Sequence, residues 1–301
     1  MSTMDTLNAM ATFVRIVDKG SLTAAADGLD TSVPSVVRTL AALERHLGVR
    51  LLNRTTRRLH LTDEGAQYLE HCRTILSAVQ DFELGLTSRQ AQPRGRLSVT
   101  ASVLFGRRYV APIAADFIQR YPDVTADLLF VDRVVSIIEE GIDVAVRIGH
   151  LRDSSLVATR VGEVRRVVCA SPQYLRRHGV PRKPADIATH ACVRHTGLAP
   201  RSEWHFRSGR RNTAIPVNAV MTCNEIDSAL SACARGIGLG MFLSYQVAPS
   251  RKSGDLKYVL EDFESEPLPV NVVYPHMKLM STRVRAFVDE CVKQLRQVSF
   301  D

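Results

Sequence analysis

LERHLGVRLLNRTTRRLHLTDEG, from Leu43 to Gly65, decides the reading of this chain of 301 residues. It begins at the end of one helix, closes that helix at Leu47-Gly48, and passes through an arginine-rich stretch. It then opens a long helix at Thr62-Asp63-Glu64. Between Val36 and Leu61 stand six arginines, Arg38, Arg45, Arg50, Arg54, Arg57 and Arg58, against the single acid Glu44. Residues 1–90 as a whole carry ten Lys/Arg and ten Asp/Glu, so the positive charge is focused rather than general. Focused positive charge beside a helical unit is the electrostatic footprint of a chain that reads a polyanion.

Working toward the N-terminus, Leu7, Met10, Phe13, Val14 and Val17 recur every three to four residues and predict a helix over 6–18 that Lys19-Gly20 ends. Ser21 is a good N-cap for a second helix, Leu22 to Leu29, in which Ala24-Ala25-Ala26 permits close helix approach. After the short break Asp30-Thr31-Ser32, a third helix buries Val36, Leu40 and Leu43. Two short helices across a tight turn make a helix-turn-helix. Arg50 to Leu61 suits a hairpin, with Leu51, Leu52, Leu59 and Leu61 inward and the arginines outward. Thr62 caps a helix running to about Arg89. Its positions Leu69, Cys72, Leu76, Val79 and Leu86, with Ile75 and Phe82 alongside, predict a seam for a partner helix and hence a dimer.

Working toward the C-terminus, Gln90 to Arg96 is a hinge broken by Pro93 and Gly95. Strands and helices then alternate: strand 97–100, helix 105–120, strand 125–130, helix 134–140, strand 143–148. A second run follows: strand 167–170, helix near 172–178, strands 192–195 and 220–223, helix 225–235, a Gly-rich exit at 236–240, strand 270–274 and helix 282–298. This is an α/β pattern, read as a largely parallel sheet in two similar halves with a cleft between them.

Composition is ordinary for globular protein, 45% hydrophobic and 23% charged, with a formal net charge of +8. No apolar run reaches the roughly 18 residues of a membrane span and the start lacks a signal-peptide core, so a cytoplasmic location is expected. The six cysteines, Cys72, Cys169, Cys192, Cys223, Cys233 and Cys291, form no CxxC pair or Cys/His cluster, which argues against a metal site. No GxSxG elbow, HExxH, P-loop or strand-following GxGxxG is present, so neither an enzyme nor a cofactor is expected.

The candidate DNA-contacting residues sit at the start of the third helix and in the hairpin. A major groove admits one helix, whose first two turns reach base edges. That selects Ser32, Val33, Pro34, Ser35, Arg38 and Thr39, with Ser21 at the preceding cap. Val37 either meets a thymine methyl or packs in the core. Arg54, Thr55, Thr56, Arg57 and Arg58 would bind phosphates or enter the minor groove. The candidate ligand residues sit at strand ends. Thr100 and Ser102 flank a helix start, where free N–H groups favour an anion, although Ser102 could instead simply cap the helix. Arg147 pairs either with a ligand carboxylate or with Asp143 or Asp153. Thr196 and Asn224 end strands of the second half beside His195 and Gly197. Trp204, the only tryptophan, walls the cleft or belongs to the core.

The run AAADGL, then Ser32, then VVRTLAALERHLGVRLLNRTTRRLHLTDEG resembles the N-terminal signature of LysR-type transcriptional regulators. DVAVRIG (Asp143–Gly149) and the 236–240 turn are similar to pieces of that family's regulatory domain. The resemblance covers the whole chain. It implies a winged helix-turn-helix over 1–61, a linker and dimerisation helix over 62–91, and an effector-binding domain over 92–301. That domain would resemble a type 2 periplasmic binding protein, with one subdomain from 92–162 plus 268–301 and the other from 163–267. It further implies double-stranded DNA as partner, a small-molecule effector read here as an organic anion, dimers or tetramers, and RNA polymerase as a further partner. Two departures bear on base preference: Val33 stands where many members have Gln or Pro, and Val37 where Ser is common. A thiol-based redox sensor of the same fold is the rival reading. Neither Cys223 nor Cys233 has an adjacent Lys or His to depress its thiol pKa.

Overall fold

The computed structural model describes residues 5–54, 59–87, 92–151, 156–197, 202–209, 211–276 and 280–301. The N-terminal unit is α1 (Thr6–Lys19), α2 (Leu22–Asp27), α3 (Val33–Leu47), the antiparallel hairpin β1 (Leu52–Arg54) and β2 (Leu59–Leu61), and α4 (Asp63–Thr87). Each of the first three helices starts on a side-chain cap. Asp5 accepts from the Asn8 N–H at 3.1 Å, Ser21 from Ala24 at 3.0 Å and Ser32 from Ser35 at 3.4 Å. The left-handed glycines Gly20 and Gly48 close α1 and α3.

Phe13, Ile16, Ala25, Ala26, Val36, Leu40, Leu43, Leu51 and Leu52 form this unit's core. Leu69 and Cys72 of α4 are buried in the same cluster. The first part of the expected seam for a partner helix is thus spent on the unit's own core, because α4 leaves the hairpin directly over α1. Leu76 and Val79 are half-buried and Ile75 is exposed. The side chains of Leu59, Phe82 and Leu86 lie outside those described.

The rest of the chain builds two five-stranded sheets. Its elements are β3 (Gly95–Ala101), α5 (Val103–Phe105), α6 (Ala111–Arg120), β4 (Val124–Phe130), β5 (Val144–Ile148) and β6 (Leu156–Val164). The chain then crosses to β7 (Arg166–Ala170), α7 (Pro172–His178), β8 (Ala191–His195), β9 (Glu203–Ser208), β10 (Arg211–Pro216) and β11 (Asn218–Cys223). After these come α8 (Ile226–Ala234), β12 (Leu239–Leu243), α9 (Ser244–Lys252) and β13 (Lys257–Val259). The chain returns as β14 (Leu268–Pro275) and α10 (Thr282–Leu295). The strand orders are β4-β3-β5-β14-β6 and β11-β8-β12-β7-β13.

Both sheets are mixed, which corrects the expectation of a largely parallel sheet. β3 runs parallel to β4 and β5, but β14 is antiparallel to β5 and β6, and β7 is antiparallel to β12 and β13. The cause is the double crossing: strands that carry the chain between sheets enter against the direction of their neighbours. The helix expected over 134–140 is also absent, replaced by turns. Val135 and Ile137 are buried two residues apart, an extended spacing, while Val134 is 93% exposed.

α5 and α6 are joined without a break by a π-helical turn, Gly106–Val110. Pro112 lies just beyond it and cannot donate to a carbonyl one turn back, so the wider turn relieves the helix there. Gly106 meets the Phe130 ring, leaving no room for a Cβ. One buried cluster runs through both sheets, joining Phe105 and Val110 of the first to Phe242 and Tyr245 of the second. A separate cluster lies behind the second sheet and holds Trp204, Phe206 and Tyr174.

Candidate DNA-binding surface and effector cleft

The exposed start of α3 is held from behind. Val36, Leu40 and Leu43 anchor the helix, which turns Pro34 and Arg38 to solvent with Ser35 and Thr39 half-buried beside them. Arg38 has no carboxylate within ion-pair distance among the described residues, so its fork is unengaged. Val33 packs on the N-terminal core, while Val37 is half-buried and lies outside that cluster. Ser21 and Ser32 are exposed caps whose oxygens already accept a backbone N–H.

Sequence reasoning missed the role of the one acid in the arginine stretch. The Glu44 carboxylate accepts the N–H groups of Leu51 at 2.9 Å and Leu52 at 3.2 Å, binding the end of α3 to the start of the hairpin. Glu44 therefore sets the angle between recognition helix and wing. Arg54 is in β1, its side chain outside those described; Thr55, Thr56, Arg57 and Arg58 lie outside the described residues.

The ligand candidates separate into groups. Thr196 and Asn224 are brought together at the C-terminal ends of the parallel strands β8 and β11. The Thr196 N–H donates to the Cys223 carbonyl at 3.0 Å, and His195 Nε2 lies 3.1 Å from the Asn224 carbonyl. The buried His195 Nδ1 has no hydrogen-bond partner among the described residues. Gly197 lets the chain close over that ring, since a Cβ there would be 2.8 Å from His195 Cε1. Asn224 precedes α8, whose N-cap is Glu225. Its carboxylate accepts the N–H groups of Asp227 at 2.9 Å and Ser228 at 2.6 Å. A hydrogen bond from the Ser228 hydroxyl first, and then these two backbone N–H groups, hold the Glu225 pKa below the usual carboxylate value. A depressed folded pKa adds stability above the unfolded pKa and loses it as pH falls through the folded one. Glu225→Ala is expected to cost about 1 kcal/mol at pH 7 and much less in acid. Parallel melts at both pH values check this, and an equal cost at both would contradict it.

On the first sheet the expectation needs correcting. Thr100 is fully buried and its hydroxyl donates to the Leu129 carbonyl at 2.6 Å, so it is not free for a ligand. The Ser102 side chain makes no capping hydrogen bond to α5 and lies close to the phenol of Tyr245, whose pKa burial raises. The first N–H of the helix, from Val103, is taken by the Asp132 carboxylate at 3.1 Å. Arg147 does not pair with Asp143. It donates to the Val135 carbonyl at 3.1 Å, and half-burial lowers its pKa against the opposing effect of Glu140. Asp143 instead accepts the Ser98 N–H at 2.9 Å, and Asp153 lies outside the described residues. Trp204 is a core residue: only 1% exposed, it packs behind the second sheet in one cluster with Tyr174 and Leu175. Its ring fills that cluster rather than walling a cleft.

Five of the six cysteines are buried. Burial pushes Cys72 up to about 11 and Cys192 up to about 12, and raises Cys169, Cys233 and Cys291 further. Thiols held protonated are poor nucleophiles, which disfavours the redox rival. Among the described residues no cluster could hold a metal ion and no helix is long and apolar enough to cross a membrane.

The comparisons agree with this architecture. The description "Bacterial regulatory helix-turn-helix protein, lysR family" matches residues 7–66, and "LysR substrate binding domain" matches 90–296. The chain is 38% identical over 288 residues to an HTH-type transcriptional repressor of Pseudomonas aeruginosa, covering 95% of this chain and 91% of that one. It is 32% identical to the HTH-type transcriptional activator AaeR of Escherichia coli, covering 95% and 93%. Among solved structures, the LysR-type regulator CrgA of Neisseria meningitidis superposes with a TM-score of 0.60 at 32% identity, over 96% of this chain and 98% of that one. The Vibrio cholerae virulence activator AphB gives 0.60 at 27% identity, over 95% and 98%. With a helix-turn-helix and a substrate-binding domain both matched along nearly its full length, the chain belongs to the LysR family of DNA-binding transcriptional regulators.

Proposed function

We propose that the chain binds specific duplex sites through the N-terminal half of α3, aided by the wing, and that a small effector lodged between the two sheet units sets its regulatory output. The observation that carries the DNA reading is the exposed face of α3, with Arg38 free of any acid partner among the described residues. Ser32, Val33, Pro34, Ser35, Arg38 and Thr39 form its base-reading edge, with Ser21 beside it. Arg54, Thr55, Thr56, Arg57 and Arg58 serve the phosphate backbone. The working division is 1–61 for DNA, 62–91 for dimerisation, and 92–162 plus 268–301 and 163–267 as the two effector-binding subdomains. The protein acts in the cytoplasm as a dimer or tetramer, meets RNA polymerase at its promoters, and carries out no catalysis of its own.

The effector is a small organic anion that also brings a hydrogen-bond donor. Arg147, half-buried and with only a carbonyl partner among the described residues, supports the anion. The His195 Nδ1, without a partner among the described residues and beside Thr196 and Asn224, supports the donor. Ser102 belongs to the opposite wall, and Thr100 and Trp204 take no part.

Arg38→Ala is expected to cost about 1–3 kcal/mol on a specific site and to relax one base position. Arg57→Ala should weaken all sequences alike and flatten the salt dependence of binding. Sequencing the genomic fragments that the purified protein retains at moderate salt tests the whole reading. A few sharp sites with an imperfect dyad support it, and diffuse retention that salt abolishes counts against it.

A further inference from the structure

A groove of about 600 Å³ lies outside the proposed effector cleft, between the π-helical turn of the first sheet unit and the C-terminal half of α9 in the second. Arg108, Tyr109, Pro249, Arg251, Lys252 and Asp301 line it. Its volume falls in the range of small-molecule sites.

The charges on its walls do not balance. Among the described residues, Arg108, Arg251 and Lys252 have no carboxylate within ion-pair distance. Arg108 donates to the Tyr245 carbonyl, and Arg251 stacks over the Tyr258 ring at 4.5 Å. The one acid in the lining is already engaged, because the Asp301 side chain takes Arg165 Nε at 3.0 Å. Arg165 also holds Glu264 at 2.8 Å, so one guanidinium is shared by two carboxylates and a single negative charge is left over to set against the three cations. Beyond Arg108 a smaller depression of about 260 Å³ contains Asp227, itself paired with Arg107 at 2.9 Å. Three cations without a carboxylate partner among the described residues therefore outweigh that single left-over charge and converge on the larger groove from two separately built units. Lys252 and Arg251 also close the last turn of α9, where cations suit a helix C-terminus. That accounts for two of the charges but not for Arg108, which approaches from the other unit.

We propose that this groove is a second small-molecule site that takes a compact dianion, a phosphate ester or a dicarboxylate. Arginine forks bind either group in two-point fashion, and a lysine adds a point charge. The bound dianion bridges Arg108 on the first unit to Arg251 and Lys252 on the second. It thereby ties the two units together away from the cleft and biases their relative arrangement. The site is independent of the cleft and of the residues proposed for the effector.

Equilibrium dialysis of the full-length protein against labelled inorganic phosphate, and separately against labelled succinate, tests this at constant ionic strength set with chloride. Saturable uptake of one molecule per chain is expected for at least one probe. Arg251→Gln and Lys252→Gln should each weaken it about tenfold, the scale of one charge-assisted hydrogen bond. Arg176→Gln, an exposed cation on α7, should leave it unchanged. Uptake of phosphate alone assigns phosphate esters; uptake of succinate alone assigns dicarboxylates. Non-saturable uptake of both probes overturns the site. So does a loss shared equally by Arg176→Gln, or full retention in both groove variants. Melting temperatures of the variants, expected near wild type, exclude unfolding as the cause.

Discussion

Gly65→Ala is expected to unfold the DNA-binding unit at temperatures the wild type survives. Alanine favours a helix interior over glycine by about 1 kcal/mol, so helix propensity alone predicts a gain. Packing reverses the sign. A Cβ at Gly65 would stand 2.0 Å from the Leu51 carbonyl oxygen and 2.9 Å from its carbon. That carbonyl cannot retreat cheaply. It accepts the Thr62 N–H at 3.0 Å, while the Leu51 N–H is held by Glu44 at 2.9 Å. Thr62 adds a bond to the Arg50 carbonyl at 2.7 Å and another from the Gly65 N–H at 2.9 Å. The added methyl pushes α4 off the hairpin and breaks this knot, at a cost of about 3 kcal/mol or more. For a unit of this size that lowers the melting temperature by about 10 °C or more. The control is Gly20→Ala, with φ of 68° but nothing within 4 Å, where only local strain of about 1 kcal/mol is at stake. Equal melting temperatures for the two variants would show that Gly65 is not a packing constraint. DNA affinity should fall with Gly65→Ala, because the α3–hairpin angle depends on the same contacts.

Tyr245→Ala is expected to loosen the coupling between the two sheet units, at about 3–5 kcal/mol of regulatory-domain stability. Tyr245 is buried at the start of α9 and meets Phe105 edge-on at 5.3 Å and Tyr109 at 6.1 Å. Phe300 packs against both of those rings, at 5.4 Å from each. The cluster joins residues of α5, the π-helical turn, α9 and the C-terminal segment, so truncating its centre leaves a cavity between units. Tyr245→Phe keeps the ring and removes only the hydroxyl that meets Ser102 and Gln246, which should cost about 1 kcal/mol. Denaturant unfolding of both variants separates ring from hydroxyl. The ring argument fails if the phenylalanine variant loses as much as the alanine variant.

The local elements were legible because each carries a short-range signature. The N-terminal helices announce themselves through apolar residues at three- and four-residue spacing, through Ser21 and Ser32 as caps, and through Gly20 and Gly48 as stops. Their boundaries in the structure fall within about two residues of those read from the sequence. The regulatory part was harder. β6, the β9–β10 hairpin, β12 with α9, and β13 went unread. β12 is buried throughout and β10 is almost wholly exposed, so period-two alternation is lost there, while β9 does alternate, with Trp204 and Phe206 buried around exposed His205, but over too few residues to stand out. VVSIIEE over 134–140 has helix-like composition, but its buried residues alternate because they fill a small cluster with Ile142 and Val273.

Sequence alone determined the family and the place of the N-terminal helices up to α3. It also determined the alternation that makes two α/β units, since these depend on contacts three or four residues apart or on runs of charge. Only the tertiary structure decided which partners the polar groups take. Asp132 claims the Val103 N–H from 29 residues away, and Thr100 spends its hydroxyl on Leu129. Trp204 goes to a core behind the second sheet, and Arg165 reaches Glu264 across 99 residues. The convergence of Arg108 with Arg251 and Lys252 on one groove belongs to the same class. Such pairings leave no periodicity in the chain, because each is set by where two independently built units meet.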